Sequence, residues 1–161
     1  LNLKDMAQNT IETVKEALTQ KINEEVDKAK AEAIKKAQEQ ADKIYKEADN
    51  KATQLINAAQ NAANQINQTA KTTADQVRKE GYDKAAQLEK EAEGKGPIAK
   101  KLAKESADKI RKETDKKASD IETKAQQESE NKVNQAKAEA DKIRNEAKQQ
   151  GDKLIEEAKK K

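Results

Sequence analysis

The sequence predicts an all-α protein of one or two very long helices that pair along a narrow stripe. Three observations carry the prediction. The residues numbered in multiples of eleven form one column: Ile11, Ile22, Ala33, Ile44, Leu55, Ile66, Val77, Leu88, Ala99, Ile110, Ile121, Lys132, Ile143 and Leu154. Eleven of these fourteen are Ile, Leu or Val, although the chain has only twenty-three Ile, Leu, Val and Met residues, so the column is a pattern rather than a composition effect. Two further columns hold small residues, at Ala41, Ala52, Ala63, Ala74, Ala85, Gly96, Ala107, Ala118, Ser129, Ala140 and Gly151, and at Ala48, Ala59, Ala70, Gly81, Ala92, Ala103, Thr114, Ala125, Ala136, Ala147 and Ala158. Finally, 40% charged residues, no Phe, no Trp and two Tyr cannot fill a globular core.

The resulting spacing of 3, 4, 4 is a hendecad. Eleven residues fit three helical turns at about 3.67 residues per turn, so the stripe stays on one face along the helix. The drift is opposite in sign to that of a heptad, which predicts a coiled coil that is right-handed or nearly straight. Small residues at two of three core positions let backbones approach closely. Alanine buries little area, so a lone helix of this sequence gains little and needs a partner.

Residues 1–34 form an N-terminal helical segment with larger aliphatics (Leu3, Met6, Ile11, Val14, Leu18, Ile22, Val26 and Ile34), opened by Asn2 and Asp5 spaced as an N-cap and its third residue. This end is expected to be the stickiest. Residues 35–93 are a hendecad helix, residues 94–97 a break, and residues 98–161 a second hendecad helix closed by Lys159, Lys160 and Lys161, which suit a helix C-terminus. In the break, Gly94 suits a left-handed C-terminal cap and Pro97 the first position of a following helix. The chain is therefore interrupted or turned at 94–97. Continuity of phase from Leu88 through Ala99 to Ile110 favours a kinked rod. Antiparallel pairing is favoured by two amide-rich clusters, Gln54–Gln68 and Gln126–Gln135, that lie equidistant from residue 96. Pairing about residue 96 would bring Asn61 beside Asn131, Leu88 near Leu102, Ile66 near Gln126, and Ile44 to the stretch just beyond Ile143.

Gly81 and Gly151 occupy core columns, where close helix approach is a better account than a hinge. Tyr45 and Tyr82 are expected to cover the seam edge. Lys132 is the one charged residue in the large-aliphatic column, its stem lying along the seam while the ammonium escapes. Pairs such as Glu24 with Lys28, Glu80 with Lys84 and Asp120 with Lys124 follow the favourable i, i+4 order and make a solvated outer face.

No catalytic, cofactor-binding or metal-binding residue is expected, and the chain is not expected to be an enzyme. It has no His and no Cys, which removes the usual zinc sites, histidine acid–base catalysis and cysteine nucleophiles. The one Gly-x-Gly, Gly94-Lys95-Gly96, lacks the context of a phosphate-binding loop. A net charge of +3 is spread among interleaved acids and lysines, and aromatics are nearly absent, so neither nucleic acid nor a small-molecule substrate is expected. No apolar run approaches the ~20 residues that span a bilayer, and membrane contact is expected only through the N-terminal segment. Self-association, from dimer to tetramer, is the expected partnership.

The 3, 4, 4 columns resemble the right-handed hendecad coiled coils of stalk-type proteins, such as peripheral-stalk subunits of rotary ATPases, a likeness of repeat type that implies a spacer, tether or oligomerisation scaffold. Repeats such as Ala140-Asp141-Lys142-Ile143-Arg144-Asn145-Glu146-Ala147 are similar to those of late-embryogenesis-abundant proteins, which would imply a protective or lipid-surface-binding amphipathic repeat. Gly96-Pro97-Ile98-Ala99-Lys100-Lys101-Leu102-Ala103 and the repeats after it resemble the helical tails of AsmA-type envelope proteins. With a first residue of Leu rather than Met, that likeness implies a processed or excised segment in a periplasmic or secreted setting.

Overall fold

The computed structural model describes residues 2–161. Two helices account for nearly all of them, α1 over Leu3–Glu91 and α2 over Pro97–Lys160, and no strand occurs among the described residues. The N-cap expected at Asn2 is present: its side-chain Oδ1 accepts from the Lys4 amide at 3.1 Å, and its carbonyl accepts from the Met6 amide at 3.1 Å. Asp5 in the first turn of α1, and Lys159 and Lys160 in the last turn of α2, complement the helix dipoles.

The chain turns rather than kinks. α1 stops at Glu91, two residues before the expected boundary, and the connection closes with Lys95 N donating to Ala92 O at 3.2 Å. Gly94 at φ 79° and Gly96 at φ 96° supply left-handed conformations that L side chains resist. The Lys100 amide then donates to Gly96 O at 3.1 Å, which makes Gly96 the cap and Pro97 the first residue of α2. Proline therefore belongs to the second helix and not to the break.

The chain divides into two units, the part up to Lys51 with Asp141–Lys161, and Ala52–Ala140. Each contains antiparallel segments of α1 and α2. In the second unit, Arg78 Nη1 lies 2.6 Å from Glu122 Oε1 and Arg111 Nη2 lies 2.5 Å from Glu89 Oε1. Gly81 packs against Thr114, which places Val77 within about one helical turn of Ile121 and Leu88 within about one turn of Ile110. Phase continuity through the break is thus what an antiparallel hairpin needs in order to match the aliphatic column with itself.

The expected register is off by about one helical turn. Ser129 Oγ lies 3.2 Å from Asn67 Oδ1, which puts the residues near 135 opposite Asn61 in place of Asn131. By the same alignment Leu88 lies opposite residues near 108 instead of the region of Leu102. In the first unit, Tyr45 pairs with Asp152, so Ile44 lies opposite residues well beyond Ile143.

Burial inverts the ranking that hydrophobicity alone implies. The fully covered side chains are small: Ala41 in the first unit and Ala52, Ala74, Ala85, Ala107, Ala118 and Ala140 in the second are each 0% exposed. Thr114 and Ser129 join them in the same columns. The large aliphatics at multiples of eleven from Ile44 onward, by contrast, are only half-buried, and Lys132 is exposed. The cause is geometric, since two helices in close contact leave no room for a branched side chain between them. Bulk is displaced to the flank.

Candidate functional site

The alanine seam separates two flanks of opposite character. One is the column at multiples of eleven, with Ile44 and Leu154 in the first unit and Ile66, Val77, Leu88, Ile110 and Ile121 in the second. The other is the column one residue later, which carries Tyr45, Arg78, Glu89, Arg111, Glu122 and Arg144. Sequence reasoning missed this second column. Its signal was present, because the three arginines of the chain, Arg78, Arg111 and Arg144, are spaced thirty-three residues apart, three hendecads each.

Every arginine bridges the helices from that column. Arg78 reaches Glu122 and, at 3.3 Å, its own neighbour Asp75. Arg111 joins Glu89 and Asp108, and Arg144 Nε donates to Asp49 at 3.0 Å. The Arg111–Glu89 contact covers Glu89 Oε1, which is buried and has no other partner. Arg suits this position because its planar guanidinium contacts a carboxylate across the seam and a second on its own helix, which a lysine point charge does less well. For Arg78 and Arg111 the pKa is raised, chiefly by the bonds to Glu122 and Glu89. These pairs are partly exposed, so their role is to fix register and orientation more than to stabilise.

Both tyrosines cover this polar flank, as expected. Tyr82 Oη donates to Asp115, with both carboxylate oxygens at 3.0 Å, and its ring lies 6.0 Å from the Arg111 guanidinium carbon. Tyr45 Oη donates to Asp152 Oδ1 at 2.6 Å, while Lys148 Nζ holds Oδ2 at 2.8 Å. The bond to Asp152, with burial adding to it, pushes the Tyr45 hydroxyl up to about 12. Bonds to Lys148 and Tyr45 hold Asp152 below the usual carboxylate range. A hydroxyl held neutral in this way is not a base near neutral pH.

The sign of the linkage follows. Tyr45 retains its proton more tightly when folded, so its contribution is present below pH 10 and is lost as pH rises toward 12. That of Asp152 is lost as pH falls below the ordinary carboxylate value. In a Tyr82→Phe background, ultraviolet titration should show the remaining tyrosinate forming near pH 12, and Asp152→Asn should return it toward 10. A midpoint near 10 in both proteins would mean that the Tyr45–Asp152 bond does not persist in solution.

The aliphatic flank makes no comparable polar bridge. In the second unit it opens into a groove of about 620 Å³, lined by Ala62, Ile66, Ala70, Ile121 and Ala125, with Glu128 and Lys132 at its rim. Lys132 stands where the column would place an aliphatic opposite Ile66. Lys132→Ile should therefore raise the melting temperature, by a gain of up to ~1 kcal/mol for a side chain that becomes partly buried. An unchanged or lower value would show that the ammonium makes a needed contact with Glu128 or its surroundings.

In the first unit the aliphatic face widens. Residues 2–32 are exposed throughout, and a row at 3, 4, 4 spacing runs Leu3, Ala7, Ile11, Val14, Leu18, Ile22, Glu25, Ala29 and Ala33. The two small-residue columns meanwhile turn polar except at Val26, as Lys4, Gln8, Lys15, Thr19 and Lys30. Exposure is large where the side chains are large: Val14 61%, Leu18 57% and Ile22 53%.

Among the described residues, no group of three or more carboxylates, His or Cys could hold a metal, and no helix is long and apolar enough to cross a membrane. The cleft bounded by Tyr45, Asp49, Arg144, Lys148 and Asp152 is self-neutralising, each charge facing an opposite one. The chain matches no family model, no curated protein and no solved structure.

Proposed function

We propose that the chain is a non-enzymatic structural coiled coil of hendecad type, right-handed or nearly straight, that acts as a spacer, tether or oligomerisation scaffold. The observation that supports this reading best is the alanine seam, whose small columns keep one phase from Ala37 to Ala158 while the charged groups satisfy one another along one flank. A stiff paired helix with its polar groups mutually matched offers spacing and surface, and no concave, water-excluding centre of the kind catalysis requires.

A second reading, a protective or lipid-surface-binding amphipathic repeat, draws on the exposed aliphatics between Leu3 and Val26. Circular dichroism in dilute buffer separates the two. The scaffold requires high helicity in the absence of lipid, with cooperative thermal loss. A coil spectrum that turns helical only with lipid or on drying would replace it with the second reading.

A further inference from the structure

We propose that the exposed N-terminal part of α1, residues 3–33, is the site at which a second copy of this chain docks, antiparallel and about a two-fold axis at Leu18. The inference rests on the scaffold reading and adds to it the surface, the partner and the orientation.

Three observations lead to that occupant. The first is continuity. Ile11 and Ile22 belong to the same eleven-residue column as Ile44, so the arm's apolar row extends the aliphatic flank of the first unit and does not extend the alanine seam. A helix covering the arm therefore approaches from the flank side, where no polar bridge between α1 and α2 stands in the way.

The second is symmetry of size. A 3, 4, 4 row reads the same in both directions about Leu18, and the bulk follows suit next to it and farther out, with Val14 mirrored by Ile22 and Ala7 by Ala29, while Ile11 is mirrored by Glu25 and Leu3 by Ala33. An interface between identical copies needs such self-complementarity. Antiparallel overlap about Leu18 brings Val14 of one copy beside Ile22 of the other, so that the bulkiest stretch of each arm covers that of its partner.

The third is charge and area. Over residues 2–32, seven acids outnumber five lysines, a balance unsuited to an anionic lipid surface or a nucleic-acid backbone. The large side chains from Leu3 to Val26 are 48–80% exposed. Covering them on both copies removes on the order of 1,200 Å² from water, the lower edge of what a specific interface buries. The arm thus suits a dimer that forms and separates with concentration.

Sedimentation equilibrium of the full chain should show a mass rising toward twice the monomer's as concentration increases, and Leu18→Glu should weaken association at least ten-fold. The chain has no cysteine, so chains carrying Val14→Cys and chains carrying Ile22→Cys can be mixed and oxidised. The mixture should give the 14-to-22 disulfide, whereas Val14→Cys alone should not link, its two copies lying about 12 Å apart along the axis. Links between like positions would overturn the antiparallel arrangement. A mass that stays monomeric would overturn the second copy as occupant, as would a monomer that co-sediments with phosphatidylglycerol vesicles. Circular dichroism on the same samples keeps the tests distinct: a helical monomer defeats the docking inference alone, while a coil defeats the scaffold reading with it.

Discussion

Ala74→Leu should destabilise the helix pair by ~1–3 kcal/mol, even though leucine is the more hydrophobic residue and nearly as good a helix former. Ala74 is 0% exposed and sits in the column that faces α2 at closest approach. Three added carbon atoms can enter only if the helices separate, and separation would uncover the neighbouring Ala70 and Ala85 and lengthen the Arg78–Glu122 contact of 2.6 Å. Ala86→Leu, on the exposed face of the same helix, is the control and should change stability by no more than ~0.5 kcal/mol. Ala74→Leu with Ala118→Leu tests the same point from both helices, and residues that share one seam should combine non-additively. Thermal or urea denaturation followed by circular dichroism measures all five proteins, the parent chain and Ala118→Leu alone included. A rise in stability for Ala74→Leu would show that the seam is loose enough to accept bulk, and that close alanine packing is not what pairs the helices.

The same seam shows what could be read in the sequence. The helical content, the cap at Asn2 and the place of the break were legible, because Gly94 and Gly96 tolerate left-handed backbone and Pro97 suits a first helical position, whereas a turn in place of a kink was not. Legible too were the three columns of the repeat. Which column lies innermost was not, since hydrophobicity ranks Ile66 above Ala63 while packing between close helices ranks them the other way. The register was misjudged by about a turn for a related reason. Amide clusters are broad marks spread around a helix, while the groups that set the alignment are discrete. The three arginines, each aimed at one carboxylate across the seam, would have given the register had their spacing of thirty-three residues been taken as a pattern. The arm was marked by its larger aliphatics, and its exposure follows from the mismatch in length between α1 and α2.

Gly81→Ala should also lower stability, by ~1–2 kcal/mol, despite a gain of about 1 kcal/mol in helix propensity. A Cβ at position 81 would run into the side chain of Thr114, which is itself buried in the facing column. Glycine there is a matter of space and not of backbone freedom, because residue 81 lies within regular helix. The partner identifies the cause. Thr114→Gly in the Gly81→Ala background exchanges which helix contributes the side chain and should recover at least ~0.5 kcal/mol relative to the sum of the single changes. Gly151 repeats the situation in the first unit with an optical readout, since its Cβ would strike the Tyr45 ring. Gly151→Ala should displace that ring, release the 2.6 Å bond to Asp152, and bring the Tyr45 titration down from about 12 toward 10 together with the melting temperature. If Gly81→Ala and Gly151→Ala both raise stability by the amount propensity alone supplies, the helices do not approach closely at either glycine.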